Sequence, residues 1–545
     1  MRSEKRLSFQ IYRSFKPIPL LPLLAACGSG GSSDDPDAQS RSGALPLDYR
    51  APASAYITPS VGDSFGFSLA TQLPDPYWVA SLRSGEFSSL GAFINGFDRT
   101  FAYAFPDIVP QYYVGTDAEL DWAAASPTMR SVFLEIFNSL ETRFNIDFVE
   151  TNDLAVANVI AISQKQLELG IAGYAYYPNL NDFIGADIFI DPEYNNPRFT
   201  GALTNFDYEL MIHELGHALG LKHPFEVEGA NNITLTASED RSAWTVMTYT
   251  HDSSKFDGDF RGFDLMALAE AYGVRETYNA GNDVYTFSLT APVFIIDGSG
   301  FDTVSAANLA NAVTIDLREG AHSSIGAPSS YVSSASQLVI SSGSLIECAI
   351  GGSGNDTITG NDLDNELRGG AGSDMIFGGE GADVITGGQG ADLIDLSEVV
   401  GSRDTVVFDL RLELGGADTI YSFSQGASGD CILVEGEAVG ALQAVVSSDR
   451  VPVAEVYGVI LRVVGENLDN SAGVTEAFSS GGIFENLIIP SSSHVLALTA
   501  DSQSTGASQC LFSIANVNGQ LDVDALAVFQ GNYLDIDSWV QSNFI

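Results

Sequence analysis

Three of the chain's six histidines, His213, His217 and His223, fall within the eleven residues HELGHALGLKH. Histidines four apart on a helix share one face, and Gly220 lets the chain turn sharply and bring back His223 as a third imidazole. Three neutral nitrogen donors with a fourth position open are the protein ligands of a catalytic Zn²⁺. Glu214, next to the first histidine, is placed to take a proton from the metal-bound water rather than to bind the metal. The spacing therefore predicts a hydrolytic centre with one zinc ion. A plain packing helix would explain the apolar side of Leu210, Met211, Ile212, Leu215, Ala218 and Leu219. It would not explain two imidazoles and a carboxylate beside that stripe.

One other nucleophile competes. Gly62-Asp63-Ser64-Phe65-Gly66 matches the G-x-S-x-G pattern and would make the chain a lipase acting through Ser64. No clear strand precedes it and no helix pattern follows, so it reads as a turn.

A second chemistry lies downstream. Five nine-residue units begin at Gly351, Gly360, Gly369, Gly378 and Gly387: GGSGNDTIT, GNDLDNELR, GGAGSDMIF, GGEGADVIT and GGQGADLID. The sixth position is Asp356, Asn365, Asp374, Asp383 and Asp392, and the eighth is always Ile or Leu. Glycines permit a turn whose carbonyls point inward, among them those of Gly352, Gly354, Gly369 and Ala371; the aspartate adds a hard oxygen ligand. The aliphatic residue fills a narrow core between facing strands. This is identified as the calcium-binding nonapeptide repeat of RTX proteins. Two units make one coil, so ions are expected between units two apart: Asp356 with Asp374, Asn365 with Asp383, Asp374 with Asp392. A glycine-rich linker would hold no such register.

The elements that must position these groups follow from the rest of the chain. Its 545 residues allow two to four domains, and 45% hydrophobic content is ample for packed cores. A net charge of -46 excludes nucleic acid as a partner. From Gly281 onward there are six arginines and no lysine, so the acids there are expected to hold divalent cations. Cys27, Cys348, Cys431 and Cys510 form no C-x-x-C pair; buried free thiols and a pairing among the last three both stay open. Helices are predicted over Tyr77 to Gly85, Ser126 to Phe144 and Phe263 to Tyr272. Strands are predicted over Thr100 to Phe105, Phe148 to Glu150, Val156 to Ile162 and Ala186 to Ile190. By composition Met247 reads as a core residue and Tyr249 as a strand residue.

HELGHALGLKHP resembles the metzincin zinc endopeptidases, and the proline after the third histidine resembles the serralysin branch. The resemblance implies an α+β metzincin domain followed by a parallel β-roll and a further β-rich C-terminal region. It makes Met247, in SAWTVMTY, the floor of the site and Tyr249 a switchable fifth ligand or oxyanion donor. It makes an edge strand of the sheet the element that pairs with a protein or peptide substrate. It also implies further calcium sites at Asp297, Gly298, Gly300, Asp302 and Glu347, where ordinary turn chemistry is the alternative.

The expected division is a leader over 1–27, a flexible tether or prosegment over 28–70, the catalytic domain over 71–280, the roll over 281–430 and a β-rich region over 431–545. The leader has a basic start and a short apolar core ending Leu24-Ala25-Ala26-Cys27, which resembles a lipobox and would lipidate Cys27 as a membrane anchor. The last residues, Asp535 to Ile545, resemble a signal read by type I secretion machinery. Both point outside a Gram-negative cell, to its outer surface or the medium. The expected function is a zinc metalloendopeptidase; the alternative is a calcium-dependent surface or adhesion protein with a vestigial peptidase fold.

Overall fold

The computed structural model describes residues 76–84, 99–154, 159–168, 171–178, 186–192, 205–228, 231–252, 258–409, 416–424 and 429–435, with short segments at 9–11, 25–27 and between 442 and 530. Ser64 and the last fifteen residues, 531–545, lie outside the described residues, as do most of 1–70.

The N-terminal half is a mixed α/β unit. Its strands are β1 (Phe9–Ile11), β2 (Ala25–Cys27), β3 (Thr100–Ala104), β4 (Trp122–Ala124), β5 (Asp147–Glu150), β6 (Val159–Lys165), β7 (Ile171–Ala175) and β8 (Ile188–Ile190), in the order β2-β1-β7-β8-β6-β3-β5 with β4 on β6. The pairs β6–β8, β3–β6 and β3–β5 are parallel, whereas β7 runs antiparallel to β8. Among the described residues four α-helices accompany the sheet: α1 (Tyr77–Ala80), α2 (Pro127–Arg143), α3 (Asn205–Ala218) and α4 (Gly262–Tyr272).

Local chemistry explains α2. Ser126 caps it by accepting the Met129 N–H, Pro127 occupies its first position, and Met129, Val132, Phe133, Ile136, Phe137 and Leu140 form one buried face. Phe137 stacks on Phe148 at 4.2 Å, and Phe148 on Phe101 at 5.5 Å, which fixes the helix to the sheet.

Two predicted elements differ most in extent. The helix expected over Tyr77 to Gly85 ends at Ala80, because Leu82 and Ser84 pair with the chain leaving α3: Lys222 N–H donates to Leu82 O at 2.8 Å and Ser84 N–H to Gly220 O at 3.1 Å. The strand expected over Val156 to Ile162 is described as Val159–Lys165, since β4 and β8 hold its later residues through Trp122–Lys165 and Gln164–Ile190 pairings.

From residue 284 onward the described residues are almost wholly strand and turn. Two parallel sheets face each other. One aligns Ile358, Ile376, Ile394 and Ile420; the other aligns Ala349, Leu367, Ile385, Val406 and Ile432. All nine are completely buried in one apolar core. Each isoleucine or leucine there contributes about 1.5–3 kcal/mol by leaving water. Within the repeats, partners are eighteen residues apart, so two nonapeptides do make one coil. Strand Asp418–Tyr421 passes the first sheet on to Gln520–Gln530, which pairs with Gln509–Val517, so the C-terminal β-rich segments extend the roll. Cys348 and Cys431 are buried and take part in no disulfide among the described residues.

The two halves share packing. Ile296, Val332 and Val339 belong to the apolar cluster around α3 and α4, and Phe294 lies so close to Gly262 that a Cβ there would meet its ring at 2.5 Å. Buried Glu239 accepts the Tyr77 hydroxyl at 2.8 Å and the Ser333 hydroxyl at 2.7 Å. Among the described residues, no helix is long and apolar enough to cross a membrane.

Candidate metal centre

Helix α3 carries His213 and His217 one turn apart. It ends at Ala218, and Gly220 takes φ 96° in the turn that follows; the Leu221 N–H donates to Gly216 O and the Gly220 N–H to His217 O, both at 2.9 Å. That reversal brings in His223. All three rings are buried, and their Nε2 atoms converge: His217 to His223 is 3.0 Å and His223 to His213 is 3.3 Å. Nitrogens bound tetrahedrally to one zinc ion stand about 3.3 Å apart, so the donor set fits that ion.

The outward nitrogens are all engaged. His213 Nδ1 donates to Val246 O and His217 Nδ1 to Leu221 O, each at 2.7 Å, while His223 Nδ1 faces Glu226 Oε2 at 3.0 Å. Hydrogen bonds at Nδ1 leave Nε2 as the free lone pair and hold each ring's orientation. Burial, then the neighbouring His223, pushes the His213 and His217 imidazoles well below the usual range, which keeps them neutral donors.

Glu214 is fully buried, and among the described residues neither of its carboxylate oxygens has a hydrogen-bond partner. Burial alone pushes this carboxyl well above its usual range. A buried, unpaired carboxylate beside three converging nitrogens lacks a positive charge. A cation held by the histidines would supply one.

Met247 lies beneath the helix, fully buried, with its sulfur 2.6 Å from where a Cβ at Gly216 would stand. The Tyr249 hydroxyl reaches His223 Nε2 at 2.6 Å. The expectation of a strand at Tyr249 is corrected: the residue sits in a turn outside any strand, because Met247 to Thr250 fold back to close the Ser242 N–H on Thr250 O at 2.9 Å.

Several supporting groups carry no signal in the sequence. Gly173 on β7 leaves room for the Glu214 carboxyl. Buried Lys222 donates to the carbonyls of His223, Glu226 and Ile233 at 3.2, 2.7 and 3.1 Å, tying the loop after the third histidine. Asp264 on α4 accepts the Thr245 hydroxyl and the N–H groups of Val246 and Arg261, fastening the segment that carries Met247. Burial pushes its carboxyl up to about 6.

In the roll, Asp374, Asp383 and Asp392 each receive the backbone N–H of the partner one coil earlier. Asp356 N–H donates to Asp374 Oδ1 at 2.7 Å, Asp374 N–H to Asp392 Oδ1 at 2.8 Å and Asn365 N–H to Asp383 Oδ1 at 2.8 Å. The Oδ2 atoms of Asp374, Asp383 and Asp392 are buried without a hydrogen-bond partner among the described residues. Asn365 differs: its amide nitrogen donates to Asn361 Oδ1 at 2.9 Å, so it carries no orphaned charge. A Cβ at Gly352 or Gly354 would collide with backbone of the 306–312 segment, and one at Gly369 with Asp374 Oδ2. Ala371 N–H donates to Gly352 O at 3.0 Å. Upstream, carboxylate oxygens of Asp283, Asp297 and Asp302 lie within 4.8 Å of one another, and Glu347 Oε2 accepts the Asp302 N–H at 2.8 Å. Asp283 was not singled out by sequence. Gly298 and Gly300 are required there by contact, since a Cβ at either would collide with backbone carbonyls of residues 275–281.

The RTX calcium-binding nonapeptide repeat matches residues 349–362 and 359–394, in four copies. Over 270 residues the chain is 31% identical to serralysin of Proteus mirabilis, covering 42% of this chain and 54% of that protein. It is 33% identical over 247 residues to serralysin B of Dickeya chrysanthemi, covering 39% and 49%, and 30% identical over 229 residues to metallopeptidase AprA of Pseudomonas marginalis, covering 36% and 47%. The match spans about half the length of these curated relatives. The chain is thus similar to serralysin metallopeptidases and carries RTX calcium-binding repeats.

Proposed function

We propose that this chain is an extracellular zinc-dependent endopeptidase acting on protein substrates, with a C-terminal half that folds on calcium. The observation that carries the reading is the convergence of three buried Nε2 atoms beside the unpartnered carboxyl of Glu214. His213, His217 and His223 would hold the ion. When bound, Zn²⁺ supplies Lewis acidity, polarising a scissile carbonyl and acidifying water.

The remaining work falls to side chains. Glu214 accepts a proton from the attacking water and returns it to the leaving amine. Its burial keeps that carboxyl from being levelled by solvent. Tyr249 donates to His223 Nε2 in the described structure; with that lone pair taken up by the cation, its hydroxyl is released to serve the substrate oxygen. Met247 and Asp264 set the floor on which the histidines rest. An extended substrate would add along β7, in place of β1, beside Glu214. The aspartates of the roll repel each other until calcium, millimolar outside cells, offsets their charge. Secretion is the address that fits this, and lipidation of Cys27 remains part of the proposal for how the chain is held.

The test is hydrolysis of casein by the purified protein before and after treatment with 1,10-phenanthroline. Loss on chelation with recovery on adding zinc is expected. Hydrolysis indifferent to the chelator would overturn the reading and turn attention to Ser64.

A further inference from the structure

Two adjacent carboxylates in the loop between His223 and Met247 serve different neighbours. Glu239 and Asp240 leave a single turn, in which both of their N–H groups donate to Thr236 O, at 2.9 and 2.8 Å. Glu239 is completely buried where the two halves meet. Its carboxylate accepts the Tyr77 hydroxyl at 2.8 and 2.9 Å, the Ser333 hydroxyl at 2.7 Å and the Ser333 N–H at 3.4 Å. The Val332 N–H, from the same loop of the roll, donates to the Tyr77 hydroxyl at 3.3 Å. One carboxylate thus gathers the start of α1, the loop that follows the third histidine and a loop of the C-terminal half. A charge buried this deeply is stable only among such donors, so the three segments are held in one arrangement.

Asp240 reaches the metal centre from the same turn. Its Oδ1 accepts the hydroxyl of Thr248, and that hydroxyl oxygen accepts the Thr250 N–H at 3.0 Å. Thr248 is completely buried, and its two bonds fix the backbone on both sides of Tyr249, whose hydroxyl lies 2.6 Å from His223 Nε2. Hydrogen bonds and single peptide links therefore connect Ser333 to Tyr249 with only Glu239, Asp240 and Thr248 between them.

We propose that Glu239 is a positioning residue through which the C-terminal half sets the place of Tyr249 beside His223, so that this half has a part in turnover. The assignment rests on the reading of Tyr249 as the donor to the substrate oxygen. Such a donor works only within hydrogen-bond distance of the developing charge, and a misplacement of about 1 Å costs about 10²-fold in rate. Loosening the Glu239 contacts frees the turn that also carries Asp240, and Tyr249 shifts with Thr248.

The test is a double-mutant cycle in the full-length, zinc-loaded protein, with kcat, KM and zinc per chain measured for every variant. Ser333→Ala deletes one donor from a half-buried residue and leaves Glu239 its tyrosine, so it folds even if the larger change Glu239→Gln does not. Ser333→Ala should lower kcat about tenfold, and Glu239→Gln further, with KM and zinc content as in the wild type. In a Tyr249→Phe background Ser333→Ala should lower kcat no further, because the hydroxyl it helps to place is gone. A merely structural weakening would add to the Tyr249→Phe loss. Full additivity in the cycle, or wild-type kcat in Ser333→Ala, would overturn the assignment while leaving the zinc centre and Tyr249 in their roles. Wild-type kcat in Tyr249→Phe alone would remove the tyrosine's role and this assignment with it.

Discussion

The Glu214 carboxyl rests directly against Gly173: a Cβ at Gly173 would stand 2.9 Å from Oε1 and 3.1 Å from Cγ. The glycine on β7 is therefore part of the site, because any side chain there drives the carboxyl out of its place beside the histidines. Gly173→Ala should lower kcat/KM by about 10- to 100-fold with zinc content unchanged, as small displacements of reacting groups do. Zinc analysis alongside peptide hydrolysis checks this; full activity in the variant would mean that Glu214 is not confined by the strand.

Lys222 organises the loop that delivers His223. Replacing it with methionine keeps the buried stem but leaves three carbonyls without their shared donor. Lys222→Met should cost at least about 2 kcal/mol of stability and weaken zinc retention. Urea unfolding and metal dialysis measure both. An unaltered midpoint would show that the loop holds without this ammonium.

Stability should depend on pH in opposite senses with and without calcium. Burial pushes the carboxyls of Asp374, Asp383, Asp392 and Asp404 up to about 7, 8, 6 and 7, from an ordinary value of 3.8. In the absence of calcium the folded chain thus keeps protons that the unfolded chain releases, and stability falls as pH rises from about 4 to 8. Calcium competes with those protons, so its stabilisation grows over the same window. Thermal melts at pH 5 and 8, in buffer passed over a chelating resin and again with millimolar calcium, test the crossing. A calcium-free melting point that stayed flat or rose with pH would contradict it.

What the sequence made legible was the chemistry that is local along the chain. Spacing of His213 and His217, the sharp turn at Gly220 and the nine-residue period all depend on neighbours a few residues away. The helix at Pro127–Arg143 was likewise written in its apolar spacing and its serine cap. What stayed hidden depends on contacts between distant segments. Gly173 against Glu214, Gly216 over Met247 and Lys222 among three carbonyls look, in sequence, like an ordinary strand glycine, helix glycine and surface lysine. The helix after Tyr77 was read too long for the same reason, since pairing with residues 220–222 outweighs local helical preference.

The most direct test of the central claim is Glu214→Gln, which removes the proton acceptor and keeps the side chain's volume beside Gly173. Zinc per chain and hydrolysis of a peptide substrate are measured on the same sample. The account predicts one zinc ion retained and turnover reduced by about 10²- to 10⁴-fold. Retained zinc with undiminished turnover would contradict it.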